Sequence, residues 1–431
     1  MNGLDLLYIP AAVATAPLWA LKRRGGWRER FGRTPTFPPV AAGKRGRILL
    51  HAVSVGEVNA LRALVPLLTP EAEVVISTTT DTGLCRARAL FEESCRVVRY
   101  PLDFSWSVRR FLDAVRPDAV ALVELEVWPN FVRACERRGI AACIVNGRLS
   151  ERSARGYARI RRFMGGWLRT LRFVAVQDEA YAARFEALGV EPGACLLTGS
   201  MKWDAPVARP TPSGGSDAAA RLAAELGIDR NRPLVVAGST GPGEEALLDG
   251  ACPAGVQLLC APRRLERFDE AAAALPGCAR RSAGGSGSAT GRFLLDTIGE
   301  LGAAYALADV VVVGRSFGDL HGSDPIEPIA LGKPTVIGPA VGDFAAIVRT
   351  FGEAGGLIRT DADALSGVLA GLLGDPARRG ELVRNGSACI ARNRGASQRH
   401  ADLLLSLLDE PRGEAPSRMG PDDATLVPVG G

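Results

Sequence analysis

From residue 47 onward, short apolar runs alternate with longer stretches rich in Ala, Leu and Arg. Arg47–Val53 (RILLHAV), Glu73–Thr78 (EVVIST), Ala119–Val123 (AVALV), Ile140–Val145 (IAACIV) and Phe173–Gln177 (FVAVQ) are apolar almost without interruption. Strands with one wet face alternate apolar and polar positions, so continuous runs predict strands covered on both sides. The stretches between them read as helices, and the pattern is that of a doubly wound parallel sheet. Residues 205–218 (APVARPTPSGGSDA) break it with a Pro/Gly/Ser linker. The alternation then restarts at Pro233–Ala237, Val256–Ala261, Val310–Val313 and Thr335–Ile337. Residues 282–291 read as a flexible surface loop, and from about Pro411 no period survives, as in a disordered tail.

The chain has 431 residues. That is more than one compact core usually organises, so the two α/β runs predict two domains facing a central cleft. The expected boundaries are 1–33 for an apolar and then basic leader, 45–204 for the first domain, 205–230 for the linker, 231–405 for the second domain and 411–431 for the tail. In such sheets ligands sit beyond the carboxyl ends of the strands, so the segments just after each strand are where chemistry is expected.

The leader has its own pattern. Residues 4–21 (LDLLYIPAAVATAPLWAL) are apolar, and Lys22, Arg23, Arg24, Arg28, Arg30 and Arg33 follow. A cleaved signal carries its charges before the apolar segment. Here they come after it, which places the following chain on the cytoplasmic side. Asp5, two prolines and the short length leave a marginal span or an interfacial anchor drawn to anionic lipid, and the basic stretch that follows so directly favours these over an ordinary buried helix. Residues 152–172 add seven arginines interleaved with Tyr157, Phe163 and Trp167, read as a lipid-facing or solvated basic helix.

Composition narrows the chemistry. Lys and Arg number 52 against 47 Asp and Glu, a balance of +5 that gives no ground for a nucleic-acid partner. Nine cysteines with no CxxC pair and only three histidines give no metal cluster, so no metal and no cofactor are expected. Scattered thiols inside apolar runs fit a reducing compartment.

The first strand runs into Ser54-Val55-Gly56-Glu57, where Gly56 is expected to ease a tight turn and Glu57 to open a helix, its carboxylate favoured by the helix dipole. His51, inside that strand, reads as a packed core residue. The third run is followed by Glu124, Glu126 and Trp128-Pro129. Capping accounts for one of these glutamates but not for both with the tryptophan.

These segments belong to a longer series: SVGE (Ser54–Glu57), ELEVWPNF (Glu124–Phe131), NGRLSERS from Asn146, and TGSMKWD (Thr198–Asp204). The second half adds GSTGPGEE (Gly238–Glu245), APRRLERF (Ala261–Phe268), DTIGELGAAYALAD (Asp296–Asp309) and GSDPIEP (Gly322–Pro328). In order and separation they resemble the transferases of 3-deoxy-D-manno-octulosonic acid (Kdo), over about residues 4 to 405. The resemblance implies a GT-B fold with two Rossmann-like domains, CMP-Kdo as donor, and inverting transfer to lipid IVA in lipopolysaccharide synthesis at the cytoplasmic side of the inner membrane.

It also assigns roles. Glu57 matches the general base, and Glu124 and Lys202 match residues that stabilise the transition state. Pro262 and Arg263 match a CMP-contacting pair, Ile298, Gly299 and Glu300 a nucleotide-holding loop, and Asp324, Pro325, Ile326 and Glu327 a phosphate-binding helix start. Many relatives have His and Asn where this chain has Ser323 and Asp324, and His where it has Gly241, so donor affinity or sugar preference is open. A UDP-sugar transferase or epimerase of the same fold is the competing enzyme reading. A silent lipid-binding scaffold is a third, and the retention of Glu57, Glu124, Lys202 and Arg263 argues against it.

Overall fold

The computed structural model describes residues 3, 5, 6, 8, 25–125, 128–159, 166–204, 215–284 and 288–409. Most of the apolar leader, the Pro/Gly/Ser part of the linker, residues 285–287 of the expected loop and the tail lie outside them.

The chain divides into two compact units, Met1–Ala208 with Arg394–Gly431, and Arg209–Asn393. Each is built on a seven-stranded sheet whose paired strands all run parallel. In the first unit the strands are β1 (Arg47–His51), β2 (Glu73–Thr78), β3 (Arg96–Arg99), β4 (Ala119–Val123), β5 (Ala141–Gly147), β6 (Val174–Val176) and β7 (Cys195–Leu197). Their order is β3-β2-β1-β4-β5-β6-β7. In the second they are β8 (Leu234–Thr240), β9 (Gln257–Pro262), β10 (Ala279–Arg280), β11 (Arg292–Leu294), β12 (Val310–Val313), β13 (Thr335–Ile337) and β14 (Ile358–Arg359), in the order β10-β11-β9-β8-β12-β13-β14. All nine runs singled out by hydrophobicity are strands. The five not anticipated are two to four residues long, four of them carry arginine, and four lie at a sheet edge. A strand that short has no period to read, and an edge needs only one covered side.

The order fixes where a ligand can go. From β1 the chain winds outward through β2 and β3, then returns to β4 on the other side of β1. The crossover helices therefore leave in opposite directions after β1 and β4, and a crevice opens between those strand ends. β8 and β12 repeat the arrangement in the second unit.

One boundary differs from the sequence expectation, which ran the second domain to residue 405. The helix Ala396–Ser406 belongs to the first unit. Its Ala396, Ala401, Leu403, Leu404 and Leu405 join Leu50, Val74 and Ala121 in one buried cluster. The helical pattern of this segment gave no hint of which sheet it would cover.

Gly56 also departs from expectation. It lies inside the helix Val55–Ala60, exposed, and an added Cβ would meet only Ser54 Oγ at 3.8 Å. The turn does not need its backbone freedom. The arginine-rich stretch is not one lipid-facing helix: a helix ends at Ala158, and Trp167 and Arg172 are buried. Residues 160–165 lie outside the described set, and the exposed basic face that remains carries Arg152, Arg155 and Arg159. All nine cysteines are free thiols, and burial pushes that of Cys135 up to about 12.

Among the described residues no helix is long and apolar enough to cross a membrane. The described leader residues make specific contacts with the first unit. Asp5 is fully buried and accepts from the backbone N–H of Ser105 at 2.8 Å and from its hydroxyl at 2.6 Å, at the start of the helix Ser105–Val115. Tyr8 donates to Asp103 at 3.0 Å. Asp5 therefore does the work of an N-cap from a hundred residues away. Asp5→Ala should cost about 1 kcal/mol, the usual worth of such a cap, and lower the unfolding midpoint by roughly 2–4 °C. A midpoint identical to wild type in a thermal melt would show that the leader is not docked there.

Candidate functional site

The first unit gathers carboxylates at its crevice. β1 ends at His51, and Ser54 caps the next helix by accepting from the Glu57 N–H at 3.4 Å. The Glu57 side chain turns back, accepting from Val53 N at 2.8 Å and from Ser54 Oγ at 2.7 Å. This reciprocal arrangement is a capping box, and it holds the carboxylate in one orientation. Burial raises the Glu57 pKa above the ordinary glutamate value, the Val53 and Ser54 hydrogen bonds oppose it, and the charge of Glu124 raises it further. The outcome sets Glu57 apart from an exposed capping glutamate, which the helix N-terminus would only acidify.

Glu124 follows β4, which lies beside β1, and its N–H donates to Val145 O of β5 at 3.0 Å. Its φ is +61°, in the left-handed region, and Asn146 at the end of β5 has φ +53°. Ser239 at the end of β8 and Arg315 just after β12 both have φ +59°. Four of the five non-glycine residues with positive φ among those described thus sit at strand ends, three of them bordering the two crevices and Asn146 one strand away. Such conformations cost of order 1–3 kcal/mol each and survive only where the surroundings over-determine them. His51 is, as expected, a core residue. It stacks on Tyr100 at 3.7 Å between ring centroids, and burial pushes its pKa down to about 3, so it stays neutral.

Lys202 sits in the short 3-10 turn Met201–Trp203 after β7, two strands beyond β5. Asn146 bridges the gap, its Oδ1 accepting from Met201 N at 3.1 Å. On the far side of Lys202, the Asp204 carboxylate accepts from Gly395 N at 2.8 Å and Ser397 N at 2.7 Å. The NGR and TGSMKWD segments therefore meet in space, and the helix Ala396–Ser406 closes over them. Asn146, Asp204 and His400 were given no role from sequence. The one available signal was an Asn-Gly pair directly after a buried strand.

In the second unit the residues expected to hold nucleotide follow the adjacent strands β11, β9 and β12, with β8 between the last two. Pro262 ends β9, and Arg263 donates its backbone N–H to Thr240 O at 3.1 Å while its side chain is exposed. Ile298 is 71% exposed, and Gly299 takes φ +99°, which favours glycine. Glu300 pairs with Arg281 at 3.1 Å and accepts from the Thr297 hydroxyl, which anchors the loop. Asp324 Oδ1 accepts from Ile326 N at 2.9 Å, so the side chain caps the helix Ile326–Ala330 itself. That helix has five residues, and Asp324 occupies one of the N–H groups the sequence reading reserved for phosphate. An asparagine at 324 would cap equally well without the charge.

The turn carrying these residues is tied down by Glu244, also unanticipated. Its carboxylate accepts from four backbone N–H groups, those of Gly241 (2.7 Å), Arg315 (2.6 Å), Ser316 (2.7 Å) and Phe317 (3.0 Å). Gly314 allows the approach, since a Cβ there would lie 2.6 Å from Thr240 Cα. Beside it Glu245, 1% exposed, pairs with Arg267 at 2.8 Å.

Solved structures share this two-sheet α/β fold. The UDP-GlcNAc 2-epimerase of Neisseria meningitidis bound to UDP-GlcNAc superposes with a TM-score of 0.57 at 12% identity, covering 84% of this chain and 100% of that one. The fold defines a two-domain α/β protein with a parallel sheet in each domain. Residues 25–205 match the family described as 3-deoxy-D-manno-octulosonic-acid transferase (kdotransferase). The 3-deoxy-D-manno-octulosonic acid transferase of Bordetella pertussis is 34% identical over 92% of this chain and 98% of its own length. That of Haemophilus influenzae is 32% identical over 84% and 87%. The chain belongs to the 3-deoxy-D-manno-octulosonic acid transferase family, and it is a glycosyltransferase.

Glu244→Gln should test the anchoring of the second unit. It replaces one of the two acceptor oxygens with an NH2 donor that faces N–H groups and removes the charge, and a buried hydrogen bond to charge is worth about 1.5–3 kcal/mol. The variant should unfold at lower denaturant concentration. An unchanged midpoint would mean that the turn holds without it.

Proposed function

We propose that this protein is a GT-B-fold enzyme that transfers Kdo from CMP-Kdo to a hydroxyl of lipid IVA, with inversion at the anomeric carbon. The observation that carries the reading is the Glu57–Glu124 pair at the crevice of the first unit, one carboxylate oriented by a capping box and raised in pKa. In the transfer the acceptor oxygen bonds to the anomeric carbon as its proton passes to Glu57. The bond from that carbon to the CMP phosphate oxygen breaks, and the electron pair leaves with CMP. A base raised toward working pH suits the proton step. Lys202 and Arg263 meet the negative charge that builds on the leaving phosphate, where fixed cations act without reorganising. Charge of that size needs no metal.

The UDP-sugar reading rests on fold alone, since the epimerase structure is 12% identical. Family membership favours the Kdo donor. Incubating the protein with lipid IVA and freshly generated CMP-Kdo, then weighing the lipid by mass spectrometry, tests the reading. A gain of one or more Kdo masses, unaffected by EDTA, is expected. No gain, or activity only with UDP-sugars, would overturn it. Loss on EDTA restored by magnesium would overturn the metal-free mechanism.

The acceptor chemistry also bears on location. An apolar leader followed by Lys22–Arg33 suits attachment to the anionic cytoplasmic leaflet of the inner membrane. Full-length protein should stay on anionic vesicles at high salt, because apolar burial is not screened. Release by salt would remove the anchor.

Glu57→Gln should keep nucleotide binding and lower transfer by roughly 100-fold or more. Because the base must be deprotonated, the rate should fall as pH drops through the raised Glu57 pKa, above the ordinary glutamate range. Glu124→Gln removes one cause of the raise, so in its residual activity the acid limb should move to lower pH. An unmoved limb would uncouple the two carboxylates.

A further inference from the structure

Among the buried groups that the transfer chemistry does not use, His400 stands out by what it joins. It is fully buried on the helix Ala396–Ser406. Its Nδ1 lies 2.6 Å from Ala396 O, so that nitrogen carries the proton and donates. Nε2 is then an acceptor, and it receives Asn146 N–H at 2.8 Å; the Thr198 hydroxyl, which donates to Val176 O, lies 3.2 Å from the same nitrogen. One ring nitrogen thus holds the end of β5 and lies against the end of β7.

Asn146 passes the constraint on. Its backbone is in the left-handed region and its carbonyl accepts from Gln177 Nε2 at 3.0 Å. Its Oδ1 holds Met201 N–H, the residue before Lys202. The same helix holds the other end of the turn, where Asp204 accepts from Gly395 and Ser397, and Arg399 Nε donates to Thr198 O at 2.9 Å. Lys202 is therefore flanked on both sides by contacts that lead to one helix.

We propose that His400 is a positioning residue for transfer: as a neutral acceptor for Asn146 N–H it sets the turn that presents Lys202. The inference rests on the reading of Lys202 given above. Without the acceptor, a buried N–H on a strained residue has no partner, and the cheapest relief is for Asn146 to leave its left-handed conformation. That would withdraw Oδ1 from Met201. The surroundings keep the imidazole neutral: burial, and Arg399 beside it, lower its pKa to about 4, against the opposing pull of Asp204 and of the Ala396 and Ala175 carbonyls.

A double-mutant cycle on the full-length protein tests this, with initial rates of Kdo transfer as the readout. His400→Leu should lower kcat roughly 10- to 100-fold, the scale of a small misplacement at a catalytic group, with the KM for donor little changed. His400→Gln can place Oε1 where Nε2 accepts and should recover most of the rate. Lys202→Ala combined with His400→Leu should be no slower than Lys202→Ala alone, because both remove the same interaction. A merely structural role would multiply the two losses and would overturn the proposal, as would a normal rate in His400→Leu or equal loss in the Gln variant. If the Leu variant does not fold, Gln and Asn are compared: Asn is too short to reach Asn146 N–H, so equal rates in the two would overturn it. A wild-type rate in Lys202→Ala would instead sink the role of Lys202, whatever His400 does.

Discussion

A parallel sheet that reverses its winding direction leaves two strand ends with nothing covering them, and everything chemical in this chain is arranged around holding those ends. Some of the backbone N–H groups there are met by side chains and not by a neighbouring strand. In each unit a glutamate at the start of the helix after the first strand takes up that task. Glu57 accepts from Val53 N–H and Ser54, and Glu244 accepts from four N–H groups, three of them on the segment after β12.

The two glutamates occupy corresponding places and end in different states. Glu244 has its carboxylate filled by donors, so it is an anchor. Glu57 is held by two donors, is buried, and feels Glu124 across the crevice, so its proton affinity rises. The difference lies in what the neighbouring strand end supplies. After β12 it supplies N–H groups; after β4 it supplies a second carboxylate. Strained backbone marks three of these strand ends, at Glu124, Ser239 and Arg315, and recurs at Asn146 one strand beyond β4.

The C-terminal helix adds a constraint of longer range. By returning to the first unit it fills the core under β1 and closes the network from Asp204 through His400 to Asn146. Residues about 200 to 250 apart in sequence thereby share responsibility for one short turn, which is why a motif around Lys202 requires partners that no local pattern displays.

By itself the sequence determined the two parallel sheets, because strands covered on both faces must be apolar throughout, and runs such as AVALV and VVVV are legible for that reason. It also showed that Glu57 and Glu124 each follow a buried strand, while the strand order that makes β1 and β4 neighbours belongs to the tertiary structure. It did not determine the short strands Arg96–Arg99 and Ala279–Arg280, since an edge position asks for little hydrophobicity. Nor did it decide which unit owns the last helix, because an amphipathic face fits either sheet. Tertiary structure alone decided that Glu300 is spent on Arg281, that Asp324 caps its own helix, and that Asp5 and His400 serve segments a hundred residues or more away. Those outcomes depend on directed hydrogen bonds between distant backbones, and hydrogen-bond direction exists only once the chain has folded.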